Sequence, residues 1–310
     1  MKYIPFLFLA ICLRLSAQDP LFTNTSQSLI SLNPSFAGSN GGLRVQSSYR
    51  DQWYNLTGFY QTLSTDVDAY IKPMKGGIAL SYMRDDQSNG TLVTDRLSLT
   101  YAQHLNLLDS KLKIIPSFQI TGFQKTLDNS KLSYGDMIDP RRGFVWNSPQ
   151  NTNGYSVKRN LDFSSGLIIN YNHFYFGASM FHITQPQEAI YGVGKLPYRL
   201  SLFTSYNLTL SENAMLYAIY RFEKQQSFYN HQININVLLI KHLILGTGIR
   251  INNSVNAIVG YRHDYFTLSG CYEFGTGSTM TSSAGTFELS ASFNLRNKED
   301  RKLVKDVERW

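Results

Sequence analysis

Charged side chains are scarce in this sequence: Asp, Glu, Lys and Arg make up 16% of its 310 residues, whereas soluble domains have about a quarter. A soluble chain so poor in charge is usually hydrophobic, yet the mean hydropathy is only -0.23. Long apolar runs are missing too, because no stretch after residue 17 approaches the roughly 18 apolar residues of a membrane-spanning helix. The composition therefore fits neither an ordinary soluble domain nor a helical membrane protein.

Cysteine is almost absent, since the chain contains only Cys12 and Cys271. Cys12 falls in a stretch with an early positive charge, an apolar run over residues 4–13 and a small residue, Ala17, at a suitable cleavage position. This pattern is typical of a secretory leader, so residues 1–17 are predicted to be a signal peptide. The mature chain then keeps one cysteine, which excludes an intrachain disulfide.

What the sequence does contain is aromatic residues and a period of two. Phe, Trp and Tyr make up 14% of the chain. Over residues 161–171, apolar side chains such as Leu167 alternate with polar or small ones such as Asp162, and residues 198–208 and 287–295 repeat the alternation. Successive side chains of a β-strand point to opposite faces, so each segment has one apolar face and one polar face.

Fourteen such segments can be marked between residues 43 and 295. Amphipathic strands of about ten residues with aromatics near their ends are typical of outer-membrane barrels. We therefore predict an all-β fold: a closed antiparallel transmembrane β-barrel of about 14 strands in a bacterial outer membrane, with short periplasmic turns and longer extracellular loops. A soluble β-sandwich is the alternative, and the scarcity of charge argues against it.

The barrel prediction divides the chain into four parts. Residues 1–17 are the signal peptide, and residues 18–42 are expected to be a periplasmic N-terminal lead-in rich in turn residues. Residues 43–295 form the barrel. Residues 296–310 are expected to be a charged periplasmic tail, so both termini of the mature chain are predicted to be periplasmic.

The sequence shows no recognisable catalytic or cofactor site. The 6 histidines are scattered over different predicted strands and turns, and none forms the nucleophile–base motif of a hydrolase with a Ser. A zinc site needs three or four converging ligands, and His263 with Asp264 offers two. Basic residues form no cluster interleaved with exposed aromatics, which argues against nucleic acid. We expect no enzyme, cofactor or metal, and we interpret Cys271 as a luminal packing residue.

Two regions are candidate partner-binding surfaces. The first is the longest predicted loop, residues 126–160, because aromatic and Arg side chains are favoured at interaction hot spots. Its candidate residues are Arg141, Arg142, Phe144, Trp146 and Tyr155. The second is the tail, where three apolar residues at i, i+4 and i+7 share one face of a possible helix. Its candidate residues are Leu303, Val307 and Trp310. The alternatives are a lid that fills the barrel mouth and a solvated tail.

Three motifs at the start of the mature chain resemble those of one protein family. Residues 18–22 read Gln-Asp-Pro-Leu-Phe, residues 32–39 read Leu-Asn-Pro-Ser-Phe-Ala-Gly-Ser, and residues 49–53 read Tyr-Arg-Asp-Gln-Trp. In this order and spacing they are similar to the motifs of the PorP/SprF family of Bacteroidetes outer-membrane proteins. The chain departs from the family pattern over residues 23–30 and by the insertion of Ser35.

The resemblance implies a role in the type IX secretion system. Members of the family are associated with secretion, surface attachment or gliding adhesins, and many accompany large adhesins with a type B C-terminal sorting domain. A non-enzymatic barrel that anchors or assists export of such a surface protein is the implied function. The implied partners are that protein, outer-membrane lipid and periplasmic components of the secretion system. A porin-like channel for small solutes is the alternative.

Overall fold

The computed structural model describes residues 18–55, 58–108, 111–144, 148, 154–276 and 285–295. Within these residues, fourteen long strands form one antiparallel sheet, as the alternating pattern predicts. The strands, numbered β1 to β14 in chain order, are Leu43–Gln52, Tyr60–Ile71, Gly76–Gln87, Leu92–Gln103, Leu112–Asp128, Tyr155–Tyr171, Phe174–Phe181, Arg199–Ser211, Ala214–Gln225, Phe228–Leu239, Leu243–Arg250, Ser254–Arg262, Phe266–Gly275 and Thr286–Leu295.

Shorter elements complete the described structure. A segment at Leu105–Leu107 continues β4 and pairs with β5. A two-stranded hairpin joins Ile138–Asp139 to Gly143–Phe144. The single α-helix of the described residues, α1, is Leu29–Leu32. The 3₁₀ turns are Thr25–Gln27, Pro34–Phe36, Lys72–Met74, Asn129–Lys131 and Gly135–Met137. No helix in the described part of the chain is both long and apolar enough to cross a membrane.

The sheet closes on itself between the first and last strands. β1 pairs with β14 along its whole length, from Leu43 opposite Leu295 to Gln52 opposite Thr286. The circle is complete because β4 also pairs with β5. Each long strand therefore has a neighbour on both sides, so the backbone donors and acceptors that cross the bilayer bond within the sheet.

The two faces of the barrel differ as the period of two requires. Outward side chains such as Leu97, Leu99 and Leu289 are exposed, which suits contact with lipid. Inward side chains such as Gln232 and Asn234 are buried although they are polar. Buried polar groups need hydrogen-bond partners, so a polar face that points inward requires something in the lumen to bond with.

The connections distinguish the two ends of the barrel. One end, called the turn end, has short links such as residues 172–173 and 212–213. The other, called the loop end, carries longer connections, including residues 129–154 and 182–198. The longest loop is shorter than the predicted 126–160, because β5 and β6 remain paired as far as Asp128 and Tyr155. By the usual rule for such barrels, the loop end is expected to face outward.

Residues 18–42 lie inside the barrel, which corrects the expectation of a periplasmic lead-in. The backbone N–H of Asp19 donates to a side chain of β9 near the loop end, and the backbone N–H of Gly38 donates to Asp68 near the turn end. Gln18 lies at the loop end, so the expected outward orientation of that end would place the start of the mature chain on the outer side and not in the periplasm. Irregular backbone is tolerated at membrane depth only where protein or a polar lumen surrounds it.

A small apolar core lies between this segment and the barrel wall. The ring of Phe36 stacks on that of Phe203, with centroids 5.6 Å apart. Glycine makes room for the segment at the turn end, because a Cβ on Gly77 would lie 2.0 Å from the Ala37 carbonyl oxygen. Gly38, the residue after Ala37, has a φ of +69°, a left-handed conformation that glycine adopts without steric cost.

A charge on the lipid face should destabilise the barrel. Leu167→Arg puts a cation on the outer face of β6, and we expect a loss of about 2–4 kcal/mol in unfolding free energy. The control is Val193→Arg in the loop 182–198, where the side chain is 89% exposed and a charge should cost less than about 0.5 kcal/mol. Urea titration of protein folded into lipid vesicles measures both. Equal stability of the two variants would show that Leu167 does not face lipid.

Candidate functional site in the barrel lumen

Residues 18–42, called the plug from here on, are held through their backbone by side chains of the barrel wall. The carboxylate of Glu288 accepts the N–H of Thr23 at 2.7 Å and the N–H of Asn24 at 2.9 Å. Gln232, across the lumen on β10, donates to the carbonyl of Thr23 at 2.6 Å. These bonds satisfy three backbone groups of the plug, which has no regular ladder of its own at this point.

A second set of contacts fastens the plug near the turn end. Asp68 accepts the N–H of Gly38 and the Nε–H of Arg44, each at 2.7 Å. Arg44 also donates to the carbonyl of Phe36 at 3.3 Å. The side-chain amide of Asn33 donates to backbone carbonyls of β6 and β7 at 3.2 and 3.0 Å. The plug is thus bonded to opposite sides of the barrel and at both of its ends.

Four buried charges form a network beside the plug. Arg50 lies 2.7 Å from Glu288 and 3.4 Å from Glu273, and Arg250 lies 3.1 Å from Glu273. All four side chains are buried. The two positive and two negative groups balance formally, which is the condition under which buried charges are tolerated. Thr23 of the plug joins the network by donating to Glu273.

The first residues of the plug are anchored through Asp19. Its carboxylate lies 2.7 Å from Arg96, 2.6 Å from Nε2 of His182 and 3.6 Å from Arg199. Burial by itself raises the pKa of the Asp19 carboxyl, but Arg96, His182 and Arg199 outweigh burial and hold that pKa well below its usual range. Asp19 is therefore an ionised anchor at neutral pH.

His182 is held between two carboxylates. Its Nε2 faces Asp19 and its Nδ1 faces Asp162, each at 2.6 Å. Burial by itself lowers the pKa of His182, but the charges and hydrogen bonds of Asp19 and Asp162 outweigh burial and raise that pKa above its ordinary value of 6.5. Protonated His182 can donate to both carboxylates, so it ties the plug to β6.

Three of the sequence-predicted partner residues lie in a hairpin at the loop end. Arg141, Arg142 and Phe144 belong to the small hairpin within loop 129–154. The N–H groups of both arginines donate to the carboxylate of Asp139, at 2.8 and 2.9 Å. These bonds shape the turn, while the Phe144 ring is left 67% exposed.

Tyr155 is not part of the loop, contrary to the expectation from the sequence. It is the first residue of β6 and pairs with Asp128, with 71% of its surface exposed. The four other candidates lie outside the described residues, so their involvement stays a prediction. They are Trp146, Leu303, Val307 and Trp310.

The residues that hold the plug were not predicted as a site. Asp19, Asn33, Gly38 and Arg50 all occur in the motifs that carry the family resemblance, but the pattern does not show what they contact. Their partners are distant in the chain, by as many as 265 residues for the bond from Thr23 to the barrel wall. A signal was present nonetheless: charged residues at luminal positions of strands, in a chain otherwise poor in charge.

Comparison with known proteins supplies a family and a fold. A family model described as type IX secretion system membrane protein PorP/SprF matches residues 15–293. No curated protein matches the chain. Similar solved structures include the CymD monoaromatic hydrocarbon channel, at 11% identity and a TM-score of 0.50, covering 89% of this chain and 94% of that one.

Two further structures are similar in the same way. The TodX deltaS2S3 mutant monoaromatic hydrocarbon channel has 12% identity and a TM-score of 0.50, covering 88% of this chain and 94% of that one. The outer membrane protein Omp33 of Acinetobacter baumannii has 9% identity and a TM-score of 0.45, covering 82% of this chain and 96% of that one. At identities this low, the likenesses to CymD and TodX show the barrel fold alone.

Removing one member of the charge network should destabilise the plugged barrel. Arg50→Ala leaves Glu273 and Glu288 with less positive charge, and we expect a loss of about 3–5 kcal/mol in unfolding free energy. The matched control is Arg142→Ala on the exposed hairpin, which should change stability by less than about 0.5 kcal/mol. Urea unfolding in detergent micelles measures both. A loss for Arg50→Ala no larger than for the control would contradict a structural role for the network.

The stability of the barrel should depend on the charge of His182. A group whose pKa is raised by folding stabilises the protein below its unfolded pKa, and that contribution is lost as pH rises through its folded pKa. We therefore expect the melting temperature to fall as pH rises above about 6.5, and His182→Gln to lack this fall. Thermal unfolding between pH 5 and pH 9 tests this. Parallel pH profiles for the two proteins would rule out His182 as the cause.

Proposed function

The chain belongs to the type IX secretion system membrane protein PorP/SprF family, and we propose that it is a non-enzymatic outer-membrane barrel that anchors, or assists the export of, a cell-surface protein of adhesin type. The single observation that carries this proposal is the plug. A barrel whose lumen is occupied along its length by its own chain offers its end surfaces to partners.

The plug also weighs against the porin-like alternative. A solute channel requires a continuous water-filled path, and wide barrels without internal segments provide one. Here luminal residues such as Ser48, Ser179 and Gln232 are bonded to the plug backbone. To open a path by withdrawing the plug, these bonds would have to break together. The bonded plug therefore supports a role in retention or export over passive diffusion.

The chemistry of the lumen supports a non-enzymatic role. His182 is a candidate base, but both of its ring nitrogens face carboxylates, so neither is directed at a hydroxyl nucleophile as a hydrolase requires. Cys271 is buried on the luminal face of β13. Among the described residues, no group of three or more His, Cys, Asp and Glu could hold a metal ion.

We assign the partners to the two ends of the barrel. The exposed hairpin with Phe144, Arg141 and Arg142 is the proposed contact for the secreted surface protein, whose type B C-terminal sorting domain would bring it to the loop end. Buried aromatic and Arg side chains concentrate binding energy, and these side chains are available for burial. The tail, residues 296–310, is the proposed contact for periplasmic components of the secretion system.

The hairpin can be tested by single substitutions. Phe144→Ala, and separately Arg142→Ala, should weaken retention of the surface protein by about 5–30-fold, the equivalent of a hot-spot side chain worth about 1–2 kcal/mol. The matched control is Leu108→Ala at the turn end, because Leu108 is 66% exposed and Phe144 67% exposed. The amount of surface protein that co-purifies with outer membranes is the measurement.

Two outcomes would count against this function. If the hairpin variants and deletion of residues 298–310 leave every co-purifying protein unchanged, the anchoring function loses its proposed contacts. If the purified wild-type barrel gives stable open steps of conductance in planar bilayers, the porin-like alternative moves ahead. Assembly of each variant is checked by its heat-modifiable mobility, so that a failure to fold is not mistaken for a loss of binding.

A further inference from the structure

A cavity of about 280 Å³ lies at the loop end of the lumen, next to the start of the plug. Residues 18–21 form one wall, and β1, β2 and β3 form another. Residues of the first and third family motifs line part of it, whereas the candidate residues in loop 129–154 do not. Its volume is just below the range of about 300–1,000 Å³ for small-ligand pockets, so it suits one side chain better than a folded domain.

The charges that line this cavity do not cancel. Three carboxylates line it, from Asp19, Asp85 and Glu273, and two guanidinium groups, from Arg50 and Arg250. Both arginines are bound to Glu273, at 3.4 and 3.1 Å. The carboxylate of Asp19 is held by cations outside the cavity. Asp85 is therefore the one carboxylate of this cavity that forms no ion pair in the described part of the chain.

Asp85 has only neutral partners. Its carboxylate accepts a hydrogen bond from the hydroxyl of Thr62 at 2.7 Å and another from the amide of Gln87 at 2.6 Å. It is 9% exposed, and in the described part of the chain no ion pair reaches it. The nearby Arg96 acts on Asp85 through its charge, but its guanidinium bonds to Asp19, at 2.7 Å. A buried carboxylate that no cation contacts directly is less favourable than an ion-paired one, and a cation that entered the cavity would supply that contact.

The rim of the cavity is aromatic. Tyr60 lies two residues before Thr62 on β2, and the register pairs Thr62 directly with Asp85. The backbone of Asp85 is therefore about 7 Å deeper in the barrel than the backbone of Tyr60, at about 3.4 Å per residue. Trp53 packs edge-on against Tyr60 with centroids 5.5 Å apart, and its buried indole N–H has no hydrogen-bond partner. Aromatic faces attract cations, so the aromatic rim and the Asp85 carboxylate below it both favour a cationic ligand.

We propose that this cavity binds one Lys or Arg side chain of the surface protein that the barrel retains. The proposal rests on the proposed function for the identity of the partner. The aliphatic stem of the side chain passes between the aromatic rim and the plug, and the cationic head reaches the carboxylate of Asp85. A charge-assisted hydrogen bond in a partly dehydrated site is stronger than a neutral one, which gives the loop end a specific contact in addition to the hairpin.

The chemistry of the cavity is tested with small probes and the full-length protein in detergent micelles. The probes are the methylamides of Nα-acetyl-lysine and Nα-acetyl-arginine, with that of Nα-acetyl-norleucine as the neutral match, and calorimetry or ligand-detected NMR reports binding. We expect the two cationic probes to bind and the neutral one to fail. Asp85→Asn removes the charge and keeps one acceptor oxygen for Thr62, while the Gln87 amide can flip so that its oxygen accepts from the new NH₂ group. This variant should weaken the cationic probes by about tenfold or more.

The matched control is Asp86→Asn. Asp86 follows Asp85 on β3, points to the opposite face and accepts the N–H of Gly90, so its loss of charge should leave probe affinity unchanged. Trp53→Leu is a second variant, which removes an aromatic face while keeping Asp85, and it should weaken the cationic probes by about threefold or more. Equal binding of norleucine and lysine probes, or equal affinity of wild type and Asp85→Asn, would overturn the proposal.

Retention in cells separates this proposal from the function on which it rests. If the surface protein is lost from cells that lack the barrel and Asp85→Asn also reduces its retention, both are supported. If retention requires the barrel but is the same in Asp85→Asn and wild type, the cavity is not the contact and the proposed function stands. If retention is unchanged when the barrel is deleted, the proposed function fails, whatever the probes show.

Discussion

The requirement that every backbone polar group in hydrocarbon finds a partner inside the protein governs this structure. It forces the strands to close between β1 and β14, because an open edge would leave a row of unpaired groups in lipid. Closure of the sheet in turn creates a lumen. With side chains alternating along each strand, the apolar set faces lipid and the polar set is confined to the lumen. Confined polar groups need partners as well, and the plug supplies them.

The plug and the wall satisfy each other. The plug has little regular structure, so its backbone bonds to side chains such as Glu288, Asp68 and Gln232. Those side chains are charged or strongly polar, and they would be costly to bury in an empty dry lumen. The ion pairs of Arg50 with Glu273 and Glu288 complete the arrangement. The family motifs coincide with this interface, because they contain Asp19, Asn33, Gly38 and Arg50.

Because the plug fills the lumen, the surfaces available to partners lie at the ends of the barrel. The likeness to the CymD and TodX channels extends to the barrel fold and carries no substrate with it. The family, by contrast, connects the chain with type IX secretion. An exposed hairpin around Phe144 and a cavity with the Asp85 carboxylate, which no cation contacts in the described part of the chain, lie at the same end of the barrel. Both suit a protein partner, the hairpin through apolar area and the cavity through charge.

The closed antiparallel fold and the strand count could be predicted from the amino-acid pattern, because they follow from a period of two, which is a local property of neighbouring residues. Composition also marked Arg141, Arg142 and Phe144 as candidate partner residues, which stays a prediction. The position of residues 18–42 could be read from the three-dimensional structure alone, and the expectation of a periplasmic lead-in was wrong. The reason is physical. The bonds that place the plug join residues as many as 265 positions apart, and no local pattern reports which luminal side chain a buried backbone group will meet.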